Sequence, residues 1–166
     1  MEDPIVQAAV KEHLADQNVA SDFYDALVGV RYTVNGNGIV PLNSPETTCS
    51  RDSLPHLLRK WLHYVRSLHT GEKRTFEYTE YLDVQFDLTP IDNCIQLAVT
   101  KRHRDEIFGT YELELEQMAH EIVDATERYR NWLLDQQPEL AAAEPIQELE
   151  ELSDTVSDDV AGQLQR

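Results

Sequence analysis

The spacing of hydrophobic positions changes along this chain, and each spacing predicts a different element. Between residues 54 and 69 apolar side chains recur every three or four positions, which places them on one face of a helix. Ser53 precedes this run as a candidate N-cap, and Gly71 follows it as a residue that can take the left-handed conformation that ends a helix. We therefore predict a helix over 54–69. Its apolar face consists of Leu54, Leu57, Leu58, Trp61, Leu62, Val65 and Leu68.

Strict alternation follows from Phe76 to Leu88, with apolar residues at most even positions and polar residues at odd ones. A period of two is that of a strand with one buried and one solvated face, so we predict one long strand or two strands sharing one register. The same period predicts strands over 94–100 and 107–114. A helical period returns from about Leu115 to Leu134 and predicts a closing helix.

The two ends of the chain differ from this middle part. Residues 4–26 carry a helical stripe, and Val28–Val34 alternates like a strand. Residues 139–166 are acidic and poor in aromatics, so disorder is the default expectation. An apolar stripe in this tail leaves a short docked amphipathic helix as the alternative. That stripe is Ile146, Leu149, Leu152, Val156 and Val160.

Antiparallel strands that follow one another and are bracketed by helices favour an α+β fold. We expect an antiparallel β-sheet with helices packed on one face, an N-terminal helical segment and an acidic C-terminal tail. The predicted organisation is a single α+β domain over 1–138 and a tail over 139–166.

Charge narrows the classes of partner. The 166 residues carry a formal net charge of −17, which disfavours nucleic-acid binding, because a duplex-binding module presents a basic surface. No apolar run approaches the roughly 18 residues of a membrane span, and the N-terminus lacks a basic start, so we expect a cytoplasmic protein. The acidity itself fits either salt adaptation or a basic protein partner.

The solvated face of the predicted sheet is the main candidate site. Period-two alternation places five carboxylates on it, where they form an acidic surface suited to a basic partner. Glu80 falls instead on the apolar side of the same strand, where a carboxylate must be paired, protonated or turned outward. The five predicted partner-binding residues are Glu77, Asp83, Asp87, Glu112 and Glu114.

One short run resembles a zinc-finger linker. Residues 68–78 read LHTGEKRTFEY, but a finger needs four ligands, and Cys49, His63 and His69 supply three at most. Three ligands do not make a zinc finger. The sequence also has no DxD or HExxH spacing and no nucleophile-elbow glycine motif, so we predict no metal, no cofactor and no catalytic residue. A basic stripe on the 54–69 helix can hold an anion or simply face solvent; it consists of Arg59, Lys60, His63 and Arg66.

Four stretches carry a family resemblance: LLRKWLHYVRSLHTGE, FEYTEYLDVQFDL, IQLAV and LELEQMAHEI. Their order over about residues 52–134 resembles the WapI-type immunity family of bacterial toxin systems. The resemblance implies a non-enzymatic binder that occludes a toxin. The leading hypothesis is a non-catalytic protein-binding module, such as an immunity- or antitoxin-like inhibitor. The alternatives are a salt-adapted housekeeping domain, or a small enzyme or metal-binding domain using Glu80 or the acidic face.

Overall fold

The computed structural model describes residues 27–30, 33–34, 37–38, 50–77, 84–101 and 106–163. Within these ranges the fold is α+β, as the sequence predicts, with a four-stranded antiparallel sheet and three α-helices. The predicted N-terminal helical segment, Cys49, Glu80 and Asp83 lie outside the described residues.

Two short antiparallel pairs precede the main sheet. Strand β1 (Leu27–Val30) pairs with β4 (Ser50–Ser53), and β2 (Thr33–Val34) pairs with β3 (Asn37–Gly38). The predicted strand over Val28–Val34 is therefore two strands with different partners.

The main sheet has the order β5-β6-β7-β8, so sequential strands are neighbours. Its strands are β5 (Arg74–Glu77), β6 (Val84–Ile91), β7 (Cys94–Lys101) and β8 (Ile107–Glu114). The helices are α1 (Leu54–His69), α2 (Leu115–Gln136) and α3 (Glu144–Gln163), with a 3-10 turn over Pro138–Ala142 before α3. The helices predicted over 54–69 and from about 115 to 134 are confirmed.

The chain divides into two compact units. Unit 1 comprises residues 1–56, 75–87 and 97–111, and unit 2 comprises residues 57–74, 88–96 and 112–166. No helix in the described part of the chain is long and apolar enough to cross a membrane.

Unit 1 shows how the long alternating stretch is used. Phe76 of β5 and Phe86 of β6 are both buried and stack with ring centroids 5.8 Å apart. The even positions thus face the interior on both strands, as predicted, but β5 and β6 are separate neighbours in the sheet. Alternation could not show this reversal, because the even-numbered positions are the apolar ones on both sides of it.

In unit 2, α1 buries six residues of the predicted apolar face, and Gly71 closes the helix. The six are Leu57, Leu58, Trp61, Leu62, Val65 and Leu68. Gly71 has φ +84°, its N–H donates to the Leu68 carbonyl at 3.0 Å, and the Glu72 N–H donates to the Ser67 carbonyl at 2.9 Å. These bonds satisfy carbonyls at the end of the helix that would otherwise lack donors. The zinc-linker-like run is therefore a helix end followed by a strand.

A tight turn joins β6 to β7 and also supports α2. Asp92 takes the left-handed conformation in this turn, with φ 54°, as short hairpins often require. The carbonyl of the next residue, Asn93, accepts from the N–H of Leu115 at 3.1 Å, which satisfies a donor in the first turn of α2.

Residues 144–163 form α3, whereas the expectation for this part of the tail was disorder. The apolar stripe forms the buried face of this helix, with Ile146, Leu149 and Val156 at most 2% exposed and Val160 at 5%. Burial of each such side chain contributes about 1.5–3 kcal/mol, which is enough to order a polar segment that composition alone marks as disordered. The docked helix, the alternative expectation, is the one found.

Candidate binding surfaces

The predicted acidic residues fall into separate groups. Glu77 is exposed on β5, Asp87 is half-buried on β6, and Glu112 and Glu114 are exposed on β8. Asp83 and the candidate buried carboxylate Glu80 lie outside the described residues. The five carboxylates were expected to form one acidic surface, which requires that their strands be neighbours. Strands β5 and β6 are neighbours, but β7 separates β8 from β6.

Asp87 is the acceptor of a polar cluster that joins three strands. Thr75 on β5 donates to its Oδ1 at 2.9 Å, and Thr100 on β7 donates to its Oδ2 at 3.2 Å. Gln85 Nε2 donates to both oxygens, at 3.0 and 3.1 Å. Because neutral donors already satisfy this carboxylate, we interpret Asp87 as a structural residue that links the three strands rather than as a ligand for an external cation.

On β8, Glu112 interacts with the half-buried Cys94. Desolvation raises the pKa of the Cys94 thiol, and the charge of Glu112, together with a hydrogen bond from the thiol to that carboxylate, raises the pKa further. A thiol held in its protonated form is a poor nucleophile. This pair therefore argues against thiolate chemistry at Cys94.

Helix α3 carries an acidic surface that the sequence analysis did not assign. Glu151, Asp154 and Asp158 are exposed, and their spacing of three and four residues places them on one face. Within the described ranges, no Lys, Arg or His forms an ion pair with any of the three. We call these three residues the α3 acidic face.

Three further acids of α3, Glu148, Glu150 and Asp159, pair with neighbouring helices. Towards α1, Glu148 pairs with Arg59 at 3.1 Å and Asp159 pairs with Arg66 at 3.4 Å. Towards α2, Glu150 pairs with Arg130 at 2.7 Å. The helix thus buries one side, pairs acids along two flanks and leaves the α3 acidic face to solvent. The α3 acidic face could have been predicted from the sequence. The apolar stripe defines the buried side of the helix, and helical periodicity places these three acids on the opposite side.

The predicted basic stripe on α1 is largely engaged. Arg59 and Arg66 pair with α3, and Lys60 Nζ lies 5.8 Å from the centroid of the Tyr64 ring. His63 is exposed on the same helix.

The end of α1 contributes to an open groove of about 540 Å³. The start of β5 and the C-terminal half of α3 complete its walls, and Asp159 is its acid. Its other polar side chains are cationic, imidazole or hydroxyl groups, so hydrogen-bond donors outnumber carboxylates. They are His63, Tyr64, Arg66, Ser67, His69, Thr70 and Arg74.

Metal binding has no support in the geometry of the described residues. No three of their His, Cys, Asp and Glu side chains come together as a metal site. Comparison of the chain with protein families, curated proteins and solved structures gives no match.

Proposed function

We propose that this chain is a non-catalytic protein-binding module that docks a basic partner through an acidic surface. The observation that carries the proposal is the α3 acidic face, where three exposed acids share one side of a helix, whereas Glu148, Glu150 and Asp159 on its flanks are paired. Like charges spaced this closely repel, so a basic partner relieves a cost that the free protein bears. Glu112 and Glu114, the exposed acids of β8, extend the same chemistry to a second part of unit 2.

The net charge of −17 supports the same function at longer range. An acidic protein attracts a basic partner before contact, which raises the association rate and makes it fall as salt rises. Localised acids then decide the orientation in which the partner docks. Binding is expected to depend both on ionic strength and on the α3 acidic face.

The test compares two charge reversals of equal size. The first variant replaces Glu151 and Asp158 with Lys, and the control replaces Glu121 and Glu127, two exposed acids of α2, with Lys. Both change the net charge equally, so non-specific attraction falls equally in both. Affinity capture from the native lysate is quantified by mass spectrometry, and folding is checked by circular dichroism.

We expect the wild type and the α2 control to capture the same partner and the α3 variant to lose at least about 90% of it, a tenfold change that corresponds to about 1.4 kcal/mol. Capture should also fall between low and physiological salt. Equal capture by both variants, or capture of no protein, contradicts the proposal.

An immunity-type inhibitor is the finer form of this proposal and rests on the family resemblance. In that form the partner is a toxin encoded beside this chain. Co-expression of the neighbouring gene product should yield a stable complex and suppress its toxicity, whereas a harmless or unbound neighbour contradicts the immunity role.

A further inference from the structure

We infer that the groove formed by α1, β5 and α3 binds the phosphoryl group of a small phosphomonoester. This site is distinct from the α3 acidic face, and its ligand has the opposite charge to the proposed protein partner. Its failure would therefore leave the proposed function untouched.

Arg74 is the central donor of the groove. Its Nη2 donates to Ser67 Oγ at 2.7 Å and also pairs with Glu72, so the guanidinium is held in place from one end. In the described part of the chain its hydrogen bonds all use Nη2, which leaves Nη1 and Nε as donors. A fixed guanidinium with two remaining N–H directions suits a tetrahedral oxyanion.

Arg66 supplies the second cation and is only loosely held. Its Nε lies 3.4 Å from Asp159 Oδ2, longer than the roughly 2.7–2.9 Å of a strong charge-assisted bond. The two side chains are 46% and 41% exposed, and such pairs contribute only about 0–1 kcal/mol. A phosphoryl dianion can therefore replace Asp159 as the partner of Arg66 at little cost.

The remaining lining favours the same ligand class. His63, His69 and the hydroxyls of Ser67 and Thr70 can all donate to oxygen, whereas Asp159 is the groove's acid. The volume of about 540 Å³ exceeds what an inorganic ion needs and falls within the range of small-molecule sites. The site therefore fits a phosphoryl group attached to a small organic moiety.

The net charge of −17 opposes any anion at a distance but does not decide binding inside the groove. At physiological ionic strength the Debye length is about 8 Å, so distant carboxylates are screened while the lining donors act in direct contact.

The test is isothermal titration of the full chain with phenyl phosphate, inorganic phosphate and benzoate, at fixed ionic strength and neutral pH. We expect saturable one-site binding of phenyl phosphate, weaker binding of inorganic phosphate, and benzoate weaker than both. Benzoate binding as tight as phenyl phosphate, or no saturable phosphate binding, overturns the inference.

Two substitutions should move the affinity in opposite directions. Arg74→Gln should weaken phenyl phosphate binding by about tenfold or more, because it removes the central charge. Asp159→Asn should tighten binding several-fold, because it removes the competing carboxylate and releases Arg66. Arg59→Gln breaks the comparable Arg59–Glu148 pair outside the groove and should leave the affinity within about twofold, near the scatter of ordinary surface changes. Unchanged binding in Arg74→Gln, or weaker binding in Asp159→Asn, overturns the inference.

Discussion

Arg130 of α2 and Glu150 of α3 form a 2.7 Å ion pair between the two helices. Arg130 lies six residues before the last residue of α2, and Glu150 lies six residues after the first residue of α3. Arg130 is only 26% exposed at its side chain, and its Nε is buried without a hydrogen-bond partner in the described structure. The guanidinium therefore depends on Glu150 for its compensation.

We expect Glu150→Gln to lower the free energy of unfolding by about 1 kcal/mol, because a part-buried charge loses its partner. Glu148→Gln is the control, since it breaks the more exposed pair with Arg59 and should cost less than about 0.5 kcal/mol. Urea unfolding measures both values, and equal costs would contradict the special dependence of Arg130.

Truncation of the buried face of α3 should be costly. Leu149→Ala is expected to destabilise the protein by about 2–4 kcal/mol, because Leu149 is 2% exposed and its removal leaves a cavity. Glu151→Ala, two residues away on the solvent side, should change stability by no more than about 0.5 kcal/mol. A chemical denaturation series tests this pair, and a small effect of Leu149→Ala would mean that α3 is not part of the core.

Removal of a buried hydroxyl should stabilise the same helix. Ser153 is 4% exposed, and its Oγ has no hydrogen-bond partner among the described residues. Ser153→Ala is expected to raise the unfolding free energy by about 1 kcal/mol, since it removes an uncompensated desolvation cost. Ser157, whose Oγ donates to the Ser153 carbonyl at 3.1 Å, provides the control, and Ser157→Ala should be near neutral. A fall in melting temperature for Ser153→Ala would show that its hydroxyl is compensated.

The Cys94 thiol should react slowly in mildly alkaline solution. Desolvation and Glu112 raise the pKa of this thiol, so less of the reactive thiolate is present at a given pH. The protonated thiol therefore contributes to the free energy of unfolding at pH values below the unfolded thiol pKa. This contribution is lost as the pH rises through the higher folded pKa. Glu112→Gln should speed alkylation of Cys94 by iodoacetamide. The control is Glu127→Gln, which removes an exposed acid of α2 and should leave the alkylation rate unchanged. Peptide-resolved mass spectrometry gives the rates, and an unchanged rate in Glu112→Gln would remove Glu112 as a cause.

Self-repulsion within the α3 acidic face should depend on salt. Asp154 lies one turn from both Glu151 and Asp158, so Asp154→Asn should raise stability by about 0.5 kcal/mol in dilute buffer. Molar KCl should abolish most of this gain by screening. The wild-type melting temperature should rise with salt for the same reason, and a salt-independent difference would assign the effect to helix propensity instead.

The local elements were predictable where the hydrophobic periodicity agrees with the positions of the turn and capping residues. The face of α1, its end at Gly71 and the parity of Phe76 and Phe86 follow from spacing and turn chemistry alone. The separation of Glu112 from Asp87 could not be predicted in this way, because strand order depends on how the strands pair and not on alternation within one strand.

The prediction of a disordered tail was wrong over residues 144–163, and for a different physical reason. Composition describes how a segment behaves in water by itself, whereas α3 is stabilised by apolar surface and by cations that other segments supply. Arg59 and Arg66 look like a solvent-facing basic stripe until Glu148 and Asp159 are placed opposite them.

The helix pairings also bear on the order in which unit 2 folds. Arg130 and Glu150 are 20 residues apart in sequence, whereas Arg66 and Asp159 are 93 apart. Closing the longer loop costs more chain entropy, and contacts of high sequence separation slow folding. We therefore expect the α2–α3 hairpin to form early and α1 to dock on it late. Mutations that truncate the buried face of α1, such as Leu62→Ala, should then accelerate unfolding and leave the folding rate almost unchanged.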